Sequence, residues 1–221
     1  MRCVVILLGP PGAGKGTQAA RLGKDLALAH ISTGDLFRDN LSRGTELGRQ
    51  AKTYMDSGRL VPDALVLDML FDRVARPDCS KGYLLDGFPR TLPQAEALER
   101  ALGKSARILA LNLKVADEVL VERLGGRRTC ETCGHIHHLR FSPPKVAGAC
   151  DKCSGRLVQR PDDSAEVVQK RLRVYREQTL PLEAFYAERK LLVNVDGARA
   201  PEEVLGELQR ACRGPVMEGC R

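Results

Sequence analysis

The sequence has no tryptophan, and only 4% of its 221 residues are aromatic. Because proteins that bind single-stranded nucleic acid stack bases on aromatic side chains, this scarcity argues against such a surface. No apolar run approaches the ~20 residues that a membrane-spanning helix needs, and neither internal repeats nor low-complexity tracts occur. We therefore expect a soluble, cytoplasmic protein with one main domain and insertions.

Positive charge is in excess but is not gathered into a basic tail. The formal net charge is +7, and several arginines stand singly beside glycines or aspartates, as in residues 87–90 and 126–128. This spacing favours separate contacts to phosphate groups. The charge also supports a second hypothesis, a protein that binds nucleic acid.

Four of the eight cysteines form two C-x-x-C pairs separated by sixteen residues. This spacing is typical of a structural zinc site with a closed tetrahedral shell, and disulfides are the alternative. The predicted metal ligands are Cys130, Cys133, Cys150 and Cys153. The nearby histidines, which we assign to the surface or to a nucleotide, are His135, His137 and His138. The cysteines predicted to be free thiols are Cys3, Cys79, Cys212 and Cys220.

Short apolar segments alternate with helical patterns, which predicts a parallel α/β sheet. The segments are residues 2–8, 82–86, 106–113 and 191–195. Residues 32–61 show helical patterns only, and residues 126–163 lack a sustained helical period, so they predict a helical insert and a small β module. Residues 125 and 126 are a glycine pair, which we interpret either as a hinge or as a site of close packing.

The first strand leads into a glycine-rich loop, GPPGAGKGTQ at 9–18, and then into a helix. In this order the glycines let backbone N–H groups surround an anion, and Lys15 adds a charge, so the segment predicts binding of a nucleoside triphosphate. The general pattern places a magnesium-binding hydroxyl directly after the lysine. Here that position is Gly16, and the hydroxyl follows at Thr17.

Further motifs occur in a fixed order: ISTGDLFR at 31–38, GYLLDGFPRT at 82–91, GRR at 126–128, RPDD at 160–163 and KRL at 170–172. With the phosphate loop, they make residues 1–211 resemble the adenylate kinases that have a long metal-binding lid. The resemblance implies a P-loop three-layer α/β fold with a parallel five-stranded sheet. It also implies a core of residues 1–31, 62–125 and 164–221, a nucleoside monophosphate (NMP) insert of 32–61 and a zinc lid of 126–163.

The family's activity would be reversible transfer of the terminal phosphoryl group of ATP to AMP, giving two ADP, by a monomer that uses Mg²⁺ with ATP. The positions matching its ATP contacts are Gly12, Ala13, Gly14, Lys15, Gly16, Thr17, Arg127, Ile136, His137 and Arg199. Those matching its AMP contacts are Thr33, Arg38, Arg59, Leu60, Val61, Gly87, Phe88, Pro89, Arg90, Gln94, Arg160 and Arg171, with Gln94 as reader of the adenine edge.

The predicted chemistry needs no general base, because an AMP phosphate dianion is already a nucleophile and catalysis depends on alignment and neutralised charge. The predicted catalytic residues are Lys15, Asp86, Arg90, Arg127, Arg160 and Arg171. Of these, Asp86 would hold the water shell of Mg²⁺. Asp162 would lie near the nucleotide. Asp163 is interpreted as structural, because Asp163-x-x-Glu166 resembles a helix capping box.

Two alternatives stay open at this point. One is a kinase for UMP, CMP or GMP, against which Thr33, Gln94 and the long lid favour AMP. The other is a zinc-ribbon P-loop protein that binds nucleic acid. Arg127 and Arg160 flank the cysteine module, which argues that it covers phosphates instead.

Overall fold

The computed structural model describes residues 1–214 and has a five-stranded sheet at its centre. The strands are β1 (Arg2–Leu8), β2 (Ala29–Ser32), β3 (Gly82–Asp86), β4 (Ala106–Lys114) and β8 (Leu192–Asp196). They lie in the order β2-β3-β1-β4-β8, and every pairing is parallel. The carboxyl ends of the strands therefore meet at one edge, where α/β folds bind ligands.

Strand β2 is the one strand of this sheet that the apolar segments did not reveal. It has four residues, of which only Ile31 is fully buried, so it carries little of the hydrophobic signal of a central strand. The preceding helix ends at Asp25. The five-stranded sheet implied by the resemblance is confirmed.

Helices cover both faces of the sheet and make three layers. They are α1 (Lys15–Asp25), α2 (Thr33–Ser42), α3 (Glu46–Asp56), α4 (Asp63–Val74), α5 (Leu92–Leu102), α6 (Asp117–Gly125), α7 (Ala165–Val174), α8 (Leu182–Glu188) and α9 (Pro201–Cys212). On β1, Val5 and Leu7 face a core shared with α1, α6, α7 and α9. Val4 and Ile6 face the opposite core, against α2 to α5 and α8. This alternation within one strand is what a sheet buried on both sides requires.

The chain after residue 163 departs from the predicted helix start. The N-cap of α7 is Ser164, which makes no side-chain capping hydrogen bond, so the predicted capping box at Asp163 is wrong. The buried face of α7 contains Val168 and Leu172. A π-helical turn, Tyr175–Thr179, follows, and α8 begins directly after Pro181.

Residues 127–158 contain a three-stranded antiparallel sheet with few buried side chains. Its strands are β5 (Arg127–Cys130), β6 (Ile136–His138) and β7 (Leu157–Val158), in the order β6-β5-β7. Just before it, a Cβ at Gly126 would lie 2.4 Å from the ring of His138, whereas one at Gly125 would meet open space. Gly126 therefore packs against a side chain of the small sheet and not against the core, while Gly125 has no neighbour that would exclude a side chain.

The cysteines outside the two C-x-x-C pairs have different states. Cys79 and Cys212 are free and buried, as predicted. Cys3 is disulfide-bonded, so the prediction of a free thiol there is wrong. Cys220 lies outside the described residues.

Among residues 1–214, the structure contains no helix with the length and apolar character of a membrane span.

Candidate active site

The phosphate loop joins β1 to α1 and leaves the backbone N–H groups of the helix start without side-chain caps. Gly14, the N-cap of α1, has φ +93°, a left-handed conformation that costs glycine little and other residues more. The positive end of the helix dipole lies at the same place. Backbone geometry alone therefore makes this helix start an anion site.

Lys15, the first residue of α1, folds back over this loop. Its Nζ donates hydrogen bonds to the carbonyl oxygens of Gly9 (2.6 Å) and Pro10 (2.9 Å). Burial lowers the pKa of Lys15 to about 7, with Asp86 opposing the shift and nearby arginines adding to it. An anionic phosphate bound at this loop would therefore stabilise the ammonium more than the neutral carbonyl oxygens do.

Gly16 faces the carboxylate of Asp86, which ends β3. A Cβ at position 16 would lie 3.2 Å from Asp86 Oδ2, so a serine or threonine there would crowd this carboxylate. Thr17 is exposed in the first turn of α1, while Gly14 takes the N-cap position. The imidazole of His30 also lies near, with Nε2 3.8 Å from Asp86 Oδ2.

A cleft lies between the phosphate loop and the helical segment α2 to α4. Its lining includes the polar ends of Thr33, Arg38 and Gln94 and apolar groups such as Phe37 and Val66. The predicted AMP contacts that line it are Thr33, Arg38, Arg59, Leu60, Val61, Gly87, Pro89, Arg90, Gln94 and Arg171. Asp162 and Lys15 line it as well. Phe88 is fully buried behind the cleft.

The turn after β3 connects two sides of the cleft. The carbonyl oxygen of Gly87 accepts hydrogen bonds from Thr33 Oγ1 and from Arg90 Nε, both at 2.8 Å. The Phe88–Pro89 peptide bond is cis. The carbonyl oxygen of Arg90 accepts from Thr179 Oγ1 at 2.8 Å, in the π-helical turn. These contacts fix the Arg90 guanidinium at the floor of the cleft.

The positive charge of the arginines near the cleft exceeds the negative charge of the neighbouring carboxylates. Burial, followed by repulsion from Arg171, lowers the pKa of Arg90 to about 10. Burial and then repulsion from Arg38 lower the pKa of Arg160 to about 10 as well. Burial alone would raise the pKa of Asp162, but the neighbouring arginines lower it on balance. The cleft therefore has a strong preference for added negative charge.

Asp163, which the sequence analysis interpreted as structural through helix capping, lies among the predicted site arginines. Its side chain is fully buried, and it accepts from Arg127 Nε at 2.7 Å and from Arg171 Nη1 at 3.2 Å. Arg171 also pairs with Asp162 Oδ2 at 2.9 Å. Asp163 thus links the first strand of the small sheet to α7. The RPDD motif is the one signal that could have pointed to it.

The remaining predicted ATP contacts lie apart from the cleft. Ile136 and His137 are in β6, paired with Thr129 and Arg128 of β5, and His137 is 3% exposed with both ring nitrogens unpartnered. The guanidinium of Arg199 pairs with acidic residues of α9.

The loop before Arg199 covers the phosphate loop, since a Cβ at Gly197 would lie 3.4 Å from the carbonyl oxygen of Ala13. Arg123, which the sequence analysis missed, donates to the carbonyl oxygen of Gly197 at 2.8 Å. Arg160, at the other end of the small sheet, donates to Thr129 Oγ1 at 2.9 Å.

The four cysteines of the C-x-x-C pairs come together in one cluster. Their Sγ atoms all lie within 4.8 Å of one another, with Cys130 and Cys153 at 3.4 Å and Cys133 and Cys150 at 3.6 Å. All four are free, so disulfides are excluded. These separations are close to the ~3.8 Å edge of a tetrahedron with ~2.3 Å zinc–sulfur bonds. A backbone hydrogen bond from Cys133 lowers the pKa of Cys130 to about 6, which favours the thiolate that a metal binds.

Comparison with known proteins gives one consistent family. A family model described as adenylate kinase matches residues 7–191. A protein named adenylate kinase from Carboxydothermus hydrogenoformans is 52% identical over 209 residues, which is 94% of this chain and 98% of the relative. Others with the same name are 50% identical in Lachnospira eligens (92% of this chain and 97% of the relative) and 49% identical in Methanocella arvoryzae (94% and 97%).

Proposed function

Because the chain belongs to the adenylate kinase family, we propose that its cleft binds AMP and that the phosphate loop and the small sheet bind ATP. The protein is an enzyme, an ATP:AMP phosphotransferase. The observation that carries the proposal is the ring of arginines and Lys15 between the loop and the cleft, where the two substrates' phosphates would meet.

The proposed transfer depends on alignment and charge. The loop N–H groups and Lys15 hold the outer phosphates of ATP, and Arg38 and Arg90 hold the phosphate of AMP. An oxygen of AMP attacks the terminal phosphorus, the bond to the bridging oxygen of ATP breaks, and ADP leaves. Arg127, Arg160 and Arg171, supplied from the lid and α7, neutralise the charge that spreads over the transferred group. No side chain has to remove a proton, because the attacking phosphate is an anion.

Two metals belong to this proposal. Four thiolates with these separations fit a structural zinc ion, held by Cys130, Cys133, Cys150 and Cys153, which would stabilise a segment with almost no apolar core. Mg²⁺ is used with ATP in this family, and it supplies charge neutralisation to the phosphates. Asp86, next to Gly16 at the end of β3, is the carboxylate placed to hold its hydration shell.

The division of the chain is likewise proposed: a core of residues 1–31, 62–125 and 164–221, an AMP-binding insert of 32–61, and a lid of 126–163. The lid joins the core close to Gly125 and Asp163. The insert packs against residues 161–163 through α3. Closure of both segments would exclude water and so prevent loss of the phosphoryl group to hydrolysis. We also propose that the enzyme acts as a cytoplasmic monomer, as the family resemblance implies.

The comparisons favour neither alternative, a UMP/CMP or GMP kinase or a nucleic-acid-binding zinc ribbon. A coupled assay with ATP and each of AMP, CMP, UMP and GMP tests the assignment of the cleft. We expect AMP to have the highest kcat/KM by at least about 100-fold, since a site built on hydrogen bonds to the base rejects mismatched analogues. Preferential consumption of GMP or UMP would contradict the assignment.

A further inference from the structure

Gln94, in the first turn of α5, has its side-chain amide fixed by two neighbours of opposite character. The residue lines the cleft but is only 1% exposed. Its Nε2 donates to Asp63 Oδ1 at 2.7 Å, and its Oε1 accepts from the backbone N–H of Arg90 at 2.8 Å. An ionised carboxylate only accepts hydrogen bonds, and a backbone N–H only donates them. A flipped amide would therefore oppose oxygen to oxygen and N–H to N–H.

The carboxylate that holds Nε2 is itself held in place. Asp63 is the first residue of α4, where the helix dipole favours a negative charge. Its second oxygen, Oδ2, accepts from Thr91 Oγ1 at 2.9 Å, and Thr91 is the N-cap of α5. Asp63 thus joins the starts of α4 and α5 and does not line the cleft itself.

These contacts leave Gln94 with one unused N–H and one unused oxygen lone pair. Adenine has an acceptor at N1 and an amino donor at C6, so its edge matches an amide in this orientation. Hypoxanthine and guanine have an N–H at N1 and a carbonyl at C6, the reverse pattern. Reading them would require the flipped amide that Asp63 and the Arg90 N–H oppose.

We propose that Asp63 is a specificity-determining, positioning residue, which locks the Gln94 amide in the orientation that accepts 6-amino purines and rejects 6-oxo purines. This inference rests on the proposed role of Gln94 as the reader of the AMP base. Asp63 acts only through Gln94 and touches no substrate. The preferred orientation of the Gln94 amide depends on the Asp63 carboxylate, which only accepts hydrogen bonds. A side chain at position 63 that also donates hydrogen bonds should therefore weaken this preference.

The test compares AMP with IMP, which differs from AMP at the N1–C6 edge alone. The variants are Asp63→Asn, whose amide can donate to a flipped Gln94, and Asp63→Ser, whose hydroxyl can both donate and accept. We expect the kcat/KM ratio of AMP to IMP to fall by about tenfold or more in each, because the flipped amide no longer opposes a charged acceptor. The KM for ATP should stay within about twofold. CMP, whose acceptor N3 and 4-amino group repeat the adenine pattern, should not gain on AMP.

The matched control is Asp68→Asn, which removes the same charge from an exposed position of α4 and should keep the wild-type ratio. Thermal unfolding of each variant sets an assay temperature at which all are folded. Gln94→Ala separates the inference from its premise. If Gln94→Ala changes the ratio but the two Asp63 variants do not, the role of Asp63 is wrong and the base contact stands. If Gln94→Ala leaves the ratio unchanged, Gln94 does not read the base, and both proposals fail.

Discussion

Lys15 is the residue whose charge depends most strongly on what occupies the site. In the free protein the pKa of Lys15 is about 7, because its ammonium group is buried and its hydrogen-bond partners are carbonyl oxygens. Phosphate groups at the loop would stabilise the ammonium and raise this pKa toward its ordinary value of 10.5. We therefore expect the protonation state of Lys15 to be coupled to nucleotide binding.

We predict that ATP binding at pH 8.5 takes up about one proton, because Lys15 is mostly neutral in the free protein and charged in the complex. By linkage, the affinity for ATP should fall by up to about tenfold per pH unit above pH 7. Below pH 7 the lysine is already charged, so this uptake disappears. Titration calorimetry in two buffers of different ionisation enthalpy measures it.

Lys15→Met is the control for the proton uptake, since it keeps the backbone loop and removes the titrating amine. Its ATP binding at pH 8.5 should show no net proton uptake. Equal uptake by the variant and the wild type would assign the proton to another group and would contradict this account of Lys15.

At the scale of elements, the small sheet of β5, β6 and β7 depends on its cysteines. Leu139, Phe141 and Val146, in the connection from β6 to β7, are exposed, so hydrophobic burial contributes little to the stability of this segment. Four thiolates around one metal would tie both C-x-x-C turns together. Strand β5 contains Arg127, so a rigid sheet would affect the site only by positioning this side chain.

We predict that Cys133→Ser lowers the zinc content and lowers the melting temperature by about 10 °C, since losing even part of a structural zinc site removes several kcal/mol. Turnover at low temperature should change much less, because a closed thiolate shell leaves no position for substrate. Zinc analysis, thermal unfolding and a coupled assay at 15 °C measure the three effects.

His135→Ala is the matched control for the zinc prediction, because His135 lies two residues from Cys133 but outside the cluster of possible metal ligands. It should keep the wild-type zinc content. If Cys133→Ser retained the full metal content, the four-cysteine site would be refuted.

On the scale of the whole molecule, electrostatic repulsion among buried positive charges at the site opposes folding. Arg90, Arg160 and Arg171 all have lowered pKa values, first because they are buried and second because other arginines lie near each of them. The free protein is destabilised by this arrangement, and phosphates would relieve it. Function and stability are therefore in conflict at the cleft.

We predict that Arg90→Leu stabilises the nucleotide-free protein by about 1 kcal/mol, since a buried charge is replaced by an apolar side chain. The carbonyl oxygen of Gly87 would keep its hydrogen bond from Thr33. The same change should lower kcat by about 10³, the low end of the effect of one arginine on phosphoryl transfer. Denaturant unfolding without nucleotide and a coupled assay check the two effects.

Arg100→Leu is the control for the prediction on Arg90, since Arg100 is exposed on α5 and pairs only loosely with Glu96, at 3.9 Å. It should leave kcat near wild type and change stability little. A loss of stability in Arg90→Leu would show that this arginine contributes more to the fold than its repulsion costs.

What the sequence determined by itself is local in the chain. The glycines and lysine of the phosphate loop lie a few positions apart, and so do the two cysteines of each C-x-x-C pair. The structure places the loop directly before α1 and brings the four sulfurs into one cluster, as predicted. Short motifs are enough for such features.

Tertiary structure decided what depends on distant residues. Strand β2 exists because it pairs with β3, although its own residues signal a strand weakly. Asp163 was expected to cap a helix, but its carboxylate pairs with Arg127, 36 positions away. Asp63 meets Gln94 across 31 positions. A carboxylate has no preference among distant cations or amides until the packing of helices on the sheet brings one of them within hydrogen-bonding distance, and that packing is a property of the whole chain.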